Sequence, residues 1–252
     1  MHYHFIAETM RDTTDKLLGV EINARFTSDT VQPLHPDFII SAWDSEQKRN
    51  FMLEQIRLIA EKRDWFERNN LICTLKLIDE MALLAIGDPA IKSALQALPF
   101  IALELSERFL TNTVCLNSLL INSLRSGPNA LWLGDLGSGS VGASPLVCGH
   151  FDVVKLDRGF FLEQVEKPMF PVLIKNIREY CNRVVVKGVE TAQLVDEASA
   201  AGVWAMQGAL YPSVTFTEVD TLLLPTLCHY WQNAPRLRGH SFVSDLSARR
   251  RR

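Results

Sequence analysis

Along this chain, apolar runs of strand length alternate with stretches of helical periodicity. The runs are HYHFIAE, LLGVEINARF, LICTLKL, FIALELS, ALWLGD, FDVVKLD, RVVVKGV and VWAMQG, eight in all. Between them the apolar residues recur about every 3.6 positions, as at Met52, Ile56 and Ile59 in FMLEQIRLIAEKRDWFERN. In DPAIKSALQAL, Pro89 follows Asp88 as the first helical residue follows an N-cap. Seven runs thus sit in strand-helix units, which require parallel pairing and right-handed crossovers. The first two runs are joined only by RDTTDK, too short for a crossover, so they predict an antiparallel hairpin. The fold class predicted is α/β, a (β/α)8 TIM-type barrel with one strand reversed. A doubly wound open sheet is the alternative, but the Gly-rich phosphate turn usual after its first strand is missing. In a barrel, function collects at the C-terminal ends of the strands.

Charge and composition narrow the function. The 252 residues carry a formal net charge of −3. Residues 236–252 hold six arginines, Arg236, Arg238 and Arg249 to Arg252, against Asp245, so this tail is +5 and the remainder −8. An acidic body argues against nucleic acid as the main ligand, because phosphates need a basic face. The expected division is a barrel over residues 1–233 and a basic, solvated tail over 234–252. The chain holds no apolar run of membrane-spanning length, and MHYHFIAETMRD lacks the layout of a signal peptide. A cytoplasmic location is expected. Five cysteines, at 73, 115, 148, 181 and 228, show no CxxC spacing and suggest buried thiols, not a zinc site or a disulfide frame. His2 and His4 alternate on the first strand without a further histidine nearby, and read as rim residues. The five tryptophans read as packing residues.

The strand ends give Glu21, Thr74, Glu104, Asp135, Lys155, Lys187 with Glu190, and Gln207. Acids and a lysine converging on a barrel mouth suit metal-assisted phosphodiester chemistry, in which carboxylates hold divalent ions and a lysine steadies the attacking water. At these residues the sequence resembles a family. GVEINARF is similar to the GVEALLRW signature of EAL domains, the cyclic-di-GMP phosphodiesterases, and the likeness continues in order through HPDFI, LELSE, LGDLGSGS, DVVKLDRGFF, VVVKGVET and AMQGALYP. It spans roughly residues 3 to 224.

The resemblance implies a role for each matching residue. Glu21 and Glu104 stand at metal-binding glutamates, Lys155 at the catalytic lysine, and Asp135 at the second aspartate of DDFGTG. Glu190 and Gln207 stand at the later glutamate and the QG glutamine, and Arg25 at the arginine that contacts substrate phosphate. Three positions depart. Thr74 replaces the asparagine ligand, Gly134 replaces the first, metal-binding aspartate of DDFGTG, and Lys187 replaces the first glutamate of AEGVET. The GSGS turn at 137–140 reads as a remodelled substrate loop. A charged lysine cannot ligate Mg²⁺ or Mn²⁺, and a unit charge roughly 5 Å from a divalent ion costs about 6 kcal/mol at an effective dielectric near 20. Lys187 is instead expected to pair with Glu21, Glu104 or Asp135.

The expected protein is therefore a catalytically inactive EAL-like protein with no metal or other cofactor. Degenerate stand-alone EAL-like proteins of enterobacteria include regulators that bind FlhD of the flagellar activator FlhDC. The resemblance thus implies control of motility or virulence gene expression through FlhD or FlhDC, without cyclic-di-GMP, direct DNA binding or a membrane. The alternatives are a slow cyclic-di-GMP phosphodiesterase and a receptor that binds the dinucleotide without cleaving it.

Overall fold

A computed structural model describes residues 2–27, 36–78, 80–107, 114–139 and 151–224. The first two strands, β1 (His2–Arg11) and β2 (Leu17–Thr27), pair antiparallel from His2 opposite Thr27 to Arg11 opposite Leu17. Their turn is organised by Asp12, whose carboxylate accepts from the Thr14 and Lys16 amides at 2.8 and 3.0 Å, while Asp15 takes φ +66° to reverse the chain. An Asx-type turn of this kind needs no glycine.

From β2 onward the pairing is parallel and sequential. The strands are β3 (Ile72–Leu77), β4 (Ile101–Ser106), β5 (Leu131–Leu136), β6 (Val153–Leu156), β7 (Arg183–Lys187) and β8 (Ala205–Gln207). Strand β1 then pairs with β8, Arg11 opposite Met206, and closes an eight-stranded barrel with one reversed strand. A short ninth strand, β9 (Ser213–Thr215), pairs antiparallel with the edge of β1 through Ile6 to Glu8. The apolar pattern does not reveal it, since three residues carry no readable period.

The crossover helices are α1 (Pro36–Ser41), α2 (Ser45–Glu61), α3 (Arg63–Asn69), α4 (Glu80–Gly87), α5 (Pro89–Gln96), α6 (Val114–Arg125), α7 (Arg158–Gln164), α8 (Phe170–Ile177) and α9 (Ala192–Ala200). Local chemistry sets several of their starts. Asp44 and Gln47 form a reciprocal capping box on α2, and Asp88 caps α5 ahead of Pro89. The helices bury Met52, Ile56, Ile59, Phe66 and Met81 against the outward faces of the strands. The barrel interior is a second, smaller core of Met10, Ala102, Trp132, Val153, Val185 and Ala205. Trp132 is thus a packing residue at the barrel centre, in edge contact with Trp204. No helix among the described residues is long and apolar enough to cross a membrane. The expected boundary at residue 233 and the arginine tail lie outside the described residues, as do Cys148, Cys228, Trp231 and loop residue 140.

Candidate functional site

Side chains on a strand return to the same face every second residue. The layer above the inner core therefore follows from it by adding two. Ala102 leads to Glu104, Trp132 to Gly134, Val153 to Lys155, Val185 to Lys187 and Ala205 to Gln207. Strands β2 and β3 contribute Glu21 and Thr74, which lie opposite each other in register. Seven strand ends so converge at one end of the barrel.

Lys155 is fully buried, and its Nζ donates to Glu104 Oε2 at 2.6 Å and Glu21 Oε2 at 2.9 Å. Gln207 Nε2 donates to the same Glu21 oxygen at 3.2 Å. Burial alone would push the Glu21 pKa up, but the Lys155 charge, followed by that of Lys187, outweighs it and brings the pKa down to about 2. Glu104 ends on the other side of the balance. Burial raises its pKa, Lys155 opposes, and Glu21 adds repulsion, leaving it above the ordinary carboxylate value.

A second group of charges surrounds Asp135. This residue sits at φ +53°, in the left-handed region, beside an irregularity in the β5–β6 pairing. The local reversal turns its carboxylate from the outer face of β5 into the mouth. There it accepts from Lys187 at 3.2 Å and from Lys76 at 2.8 Å. Lys76 also pairs with Asp37 of α1 at 2.8 Å. Burial favours a neutral Lys187, yet Glu21, Asp135 and Glu104 together raise its pKa. Asp135 is likewise opposed by burial, but Lys187 and Lys76 hold it well below the usual carboxylate range.

Gly134 has a steric consequence for Glu104. A Cβ at Gly134 would lie 2.2 Å from Glu104 Oε1 and 2.7 Å from its Cγ. The Glu104 side chain thus fills the space that a side chain at position 134 would need, and its Oε1 is buried there without a hydrogen-bond partner. Thr74 Oγ1 is buried and unpartnered as well.

The remaining expected residues stand apart. Arg25 pairs with Glu8 at 2.8 Å, and Glu190 pairs with Arg158 at 2.5 Å. With Lys187 and Gln207 these four line a pocket of about 420 Å³. Its wall stops at Lys187 and Gln207. Glu21, Glu104 and Lys155 lie outside its lining and are 2% exposed or less.

Divalent metals do not fit this donor set. The carboxylates of Glu21, Glu104 and Asp135 each already face an ammonium, and among the described residues no three His, Cys, Asp or Glu side chains come together in a metal-holding arrangement. His2 and His4 are exposed on β1. Sequence reasoning passed over Lys76, Asp37 and Arg158. For Lys76 a signal existed, because in ICTLKL it shares the inner face with Thr74. Asp37 and Arg158 lie on helices whose docking onto the mouth no local pattern reports. Glu107, which accepts from the Gly137 amide at 2.8 Å and so anchors the loop after β5, was missed for the same reason.

Comparison with known proteins bears on these residues. The chain is 27% identical over 220 residues to the putative anti-FlhC(2)FlhD(4) factor YdiV of Escherichia coli K12, covering 85% of this chain and 92% of that protein. It is 29% identical over 203 residues to the cyclic di-GMP phosphodiesterase PdeH of the same organism, covering 78% and 77%. Overall identity does not separate a regulator from an enzyme here, so the site residues must. In structure, the EAL-like domain protein YdiV superposes with a TM-score of 0.76 at 26% identity, covering 88% of this chain and 97% of that one. Residues 9–213 match the EAL domain, and with the reversed-strand barrel and converging strand ends described above, the chain belongs to the EAL domain family.

Proposed function

We propose that this protein is a catalytically inactive EAL-fold regulator that acts in the cytoplasm by binding directly to FlhD of the FlhDC transcriptional activator, independently of cyclic-di-GMP, and so controls motility and virulence gene expression. The observation that carries the reading is the engagement of Glu21, Glu104 and Asp135 by the ammonium groups of Lys155, Lys187 and Lys76. A fully buried Lys155 cannot reach a substrate water, and a pocket whose wall excludes the acids cannot present them to a phosphate. Relatives named anti-FlhC(2)FlhD(4) factors match along 92% of their length in one case and 91% in another, which supports the partner.

The rim of the pocket also supports independence from the dinucleotide. Arg25, Arg158 and Lys187 are each paired with a carboxylate. Little uncompensated positive charge is left for two phosphates. The acidic body suits a partner that presents a basic face to DNA, because complementary potentials speed encounter. Residues 1–233 form the binding barrel in this proposal, and 234–252 a solvated appendage.

The test is a pull-down from a motile enterobacterial lysate followed by titration with purified FlhDC, with and without cyclic-di-GMP. A complex of equal affinity in both conditions is expected, and deletion after Asn233 should leave it intact. Absence of a complex removes the FlhD assignment. A complex seen only with the dinucleotide replaces it with the receptor reading, and turnover abolished by Lys155→Ala replaces it with the phosphodiesterase reading, which the identity to PdeH favours.

A further inference from the structure

The family's divalent ions and the residues present here disagree, and the disagreement has a specific architecture. Loss of ligands at Thr74 and Gly134 would by itself leave a weak, open site whose carboxylates still attract cations. Instead, Asp135 is clamped between two ammonium groups from opposite walls of the mouth, Lys187 of β7 at 3.2 Å and Lys76 of β3 at 2.8 Å. Lys76 is itself held from behind by Asp37 of α1. Glu21 and Glu104 are joined through Lys155. Each acid of the layer thus has its cation supplied by the chain.

We propose that Lys76 and Lys187 together are resident counter-ions that exclude divalent metal from the mouth, with Lys76 an exclusion residue in its own right. Two geometric facts separate this from simple ligand loss. Each lysine contacts a different oxygen of Asp135, Lys187 on Oδ1 and Lys76 on Oδ2, so neither oxygen is open to a metal. And Lys76 is fixed between two carboxylates with its side chain only 16% exposed, so it cannot swing clear into solvent as an isolated long side chain would. Removal of Lys187 alone therefore leaves Asp135 with a cation. Restoring the family's residues at 74, 134 and 187 would meet the same obstacle.

The inference deepens the inactive-site reading and rests on it, but not on any partner. Its test therefore contains only the protein and MnCl₂. Wild type, Lys187→Met, Lys76→Met and the double variant are titrated, following free Mn²⁺ by its electron paramagnetic resonance signal and the melting temperature in parallel. Methionine keeps the length and removes the charge. Wild type and Lys187→Met should take up no ion in the millimolar range. The double variant should bind, and with Mn²⁺ at roughly ten times its Kd should melt about 3–6 °C higher than without it. Adding Asp135→Asn to the double variant should abolish the response. If the double variant does not fold in the metal-free state, folding on addition of Mn²⁺ is the supporting result, and failure to fold at any Mn²⁺ concentration counts against the inference. Uptake by wild type would overturn it. Equal uptake by Lys187→Met and the double variant would remove the role of Lys76, and an unresponsive double variant would show that ligand loss alone keeps metal out.

Discussion

Replacing Lys155 with methionine should unfold much of the margin this protein has. The substitution leaves Glu21 and Glu104, 2% and 0% exposed, without the group both carboxylates contact. Contacts of 2.9 and 2.6 Å to one ammonium hold the two acceptor oxygens no further apart than about 5.5 Å, where unit charges at an effective dielectric near 20 repel by about 3 kcal/mol. The same ammonium lies 5.8 Å above the Trp132 ring, a smaller attraction that is lost with it. Removing one member of a buried ion network typically costs about 3–5 kcal/mol, because the partners are left charged or must take up protons. Without that ammonium one of the two carboxylates should take up a proton more readily than in wild type, and Glu104, whose pKa burial already raises, is the one expected to do so. The assay is urea denaturation followed by circular dichroism at pH 7 and again at pH 5, comparing wild type, Lys155→Met and Lys155→Met/Glu104→Gln. The single variant should lose about 3–5 kcal/mol at pH 7 and less at pH 5, and the double variant should recover part of the loss. A change below about 1 kcal/mol at pH 7, or a loss that does not shrink on acidification, would refute the claim that Lys155 holds the barrel mouth together.

Other consequences follow from the same geometry. Hydrolysis of cyclic-di-GMP should be undetectable with Mg²⁺ or Mn²⁺ in a chromatographic assay at high enzyme concentration, and turnover that Lys155→Ala abolishes would contradict the buried position of that lysine. Lys187→Glu should lower the melting temperature near neutral pH and low salt, because it exchanges a cation on Asp135 for another carboxylate in a mouth that already holds Glu21 and Glu104; an unchanged or higher melting temperature would mean that Lys187 contributes nothing. Gly134→Ala should cost about 1–3 kcal/mol in chemical denaturation, since its Cβ meets Glu104 at 2.2 Å and the glutamate must leave or the strand must shift; a neutral result would show that Glu104 has another place to go. The Glu21 pKa is depressed from 4.5 to about 2 on folding, so its contribution is fully present above 4.5 and is lost as the pH falls from 4.5 through 2. The stability difference between wild type and Glu21→Gln should accordingly narrow across that window, and a difference constant with pH would exclude the ion pair as its source.

Much of this architecture was readable in one dimension. Alternation of eight apolar runs with helical stretches specified a barrel because periodicity is a property of neighbours in sequence, and the short RDTTDK link forced a reversed first strand. The strand ends also singled out Glu104, Lys155, Lys187 and Gln207. Which acid Lys187 would meet was not readable. Glu21, Glu104 and Asp135 all lie at strand ends, and the choice of Asp135 depends on a left-handed backbone at that residue, which swings an outward-facing position into the mouth. Nor could the sequence show that Glu104 turns into the void at Gly134, since a side chain's direction depends on the space left by a neighbouring strand. Lys76 was visible as a residue but not as a clamp, because its second carboxylate comes from α1, 39 positions earlier. Local pattern determines which residues face inward; only the closed barrel decides which inward charges touch, because Coulomb energy depends on distances that the strand register and helix docking set.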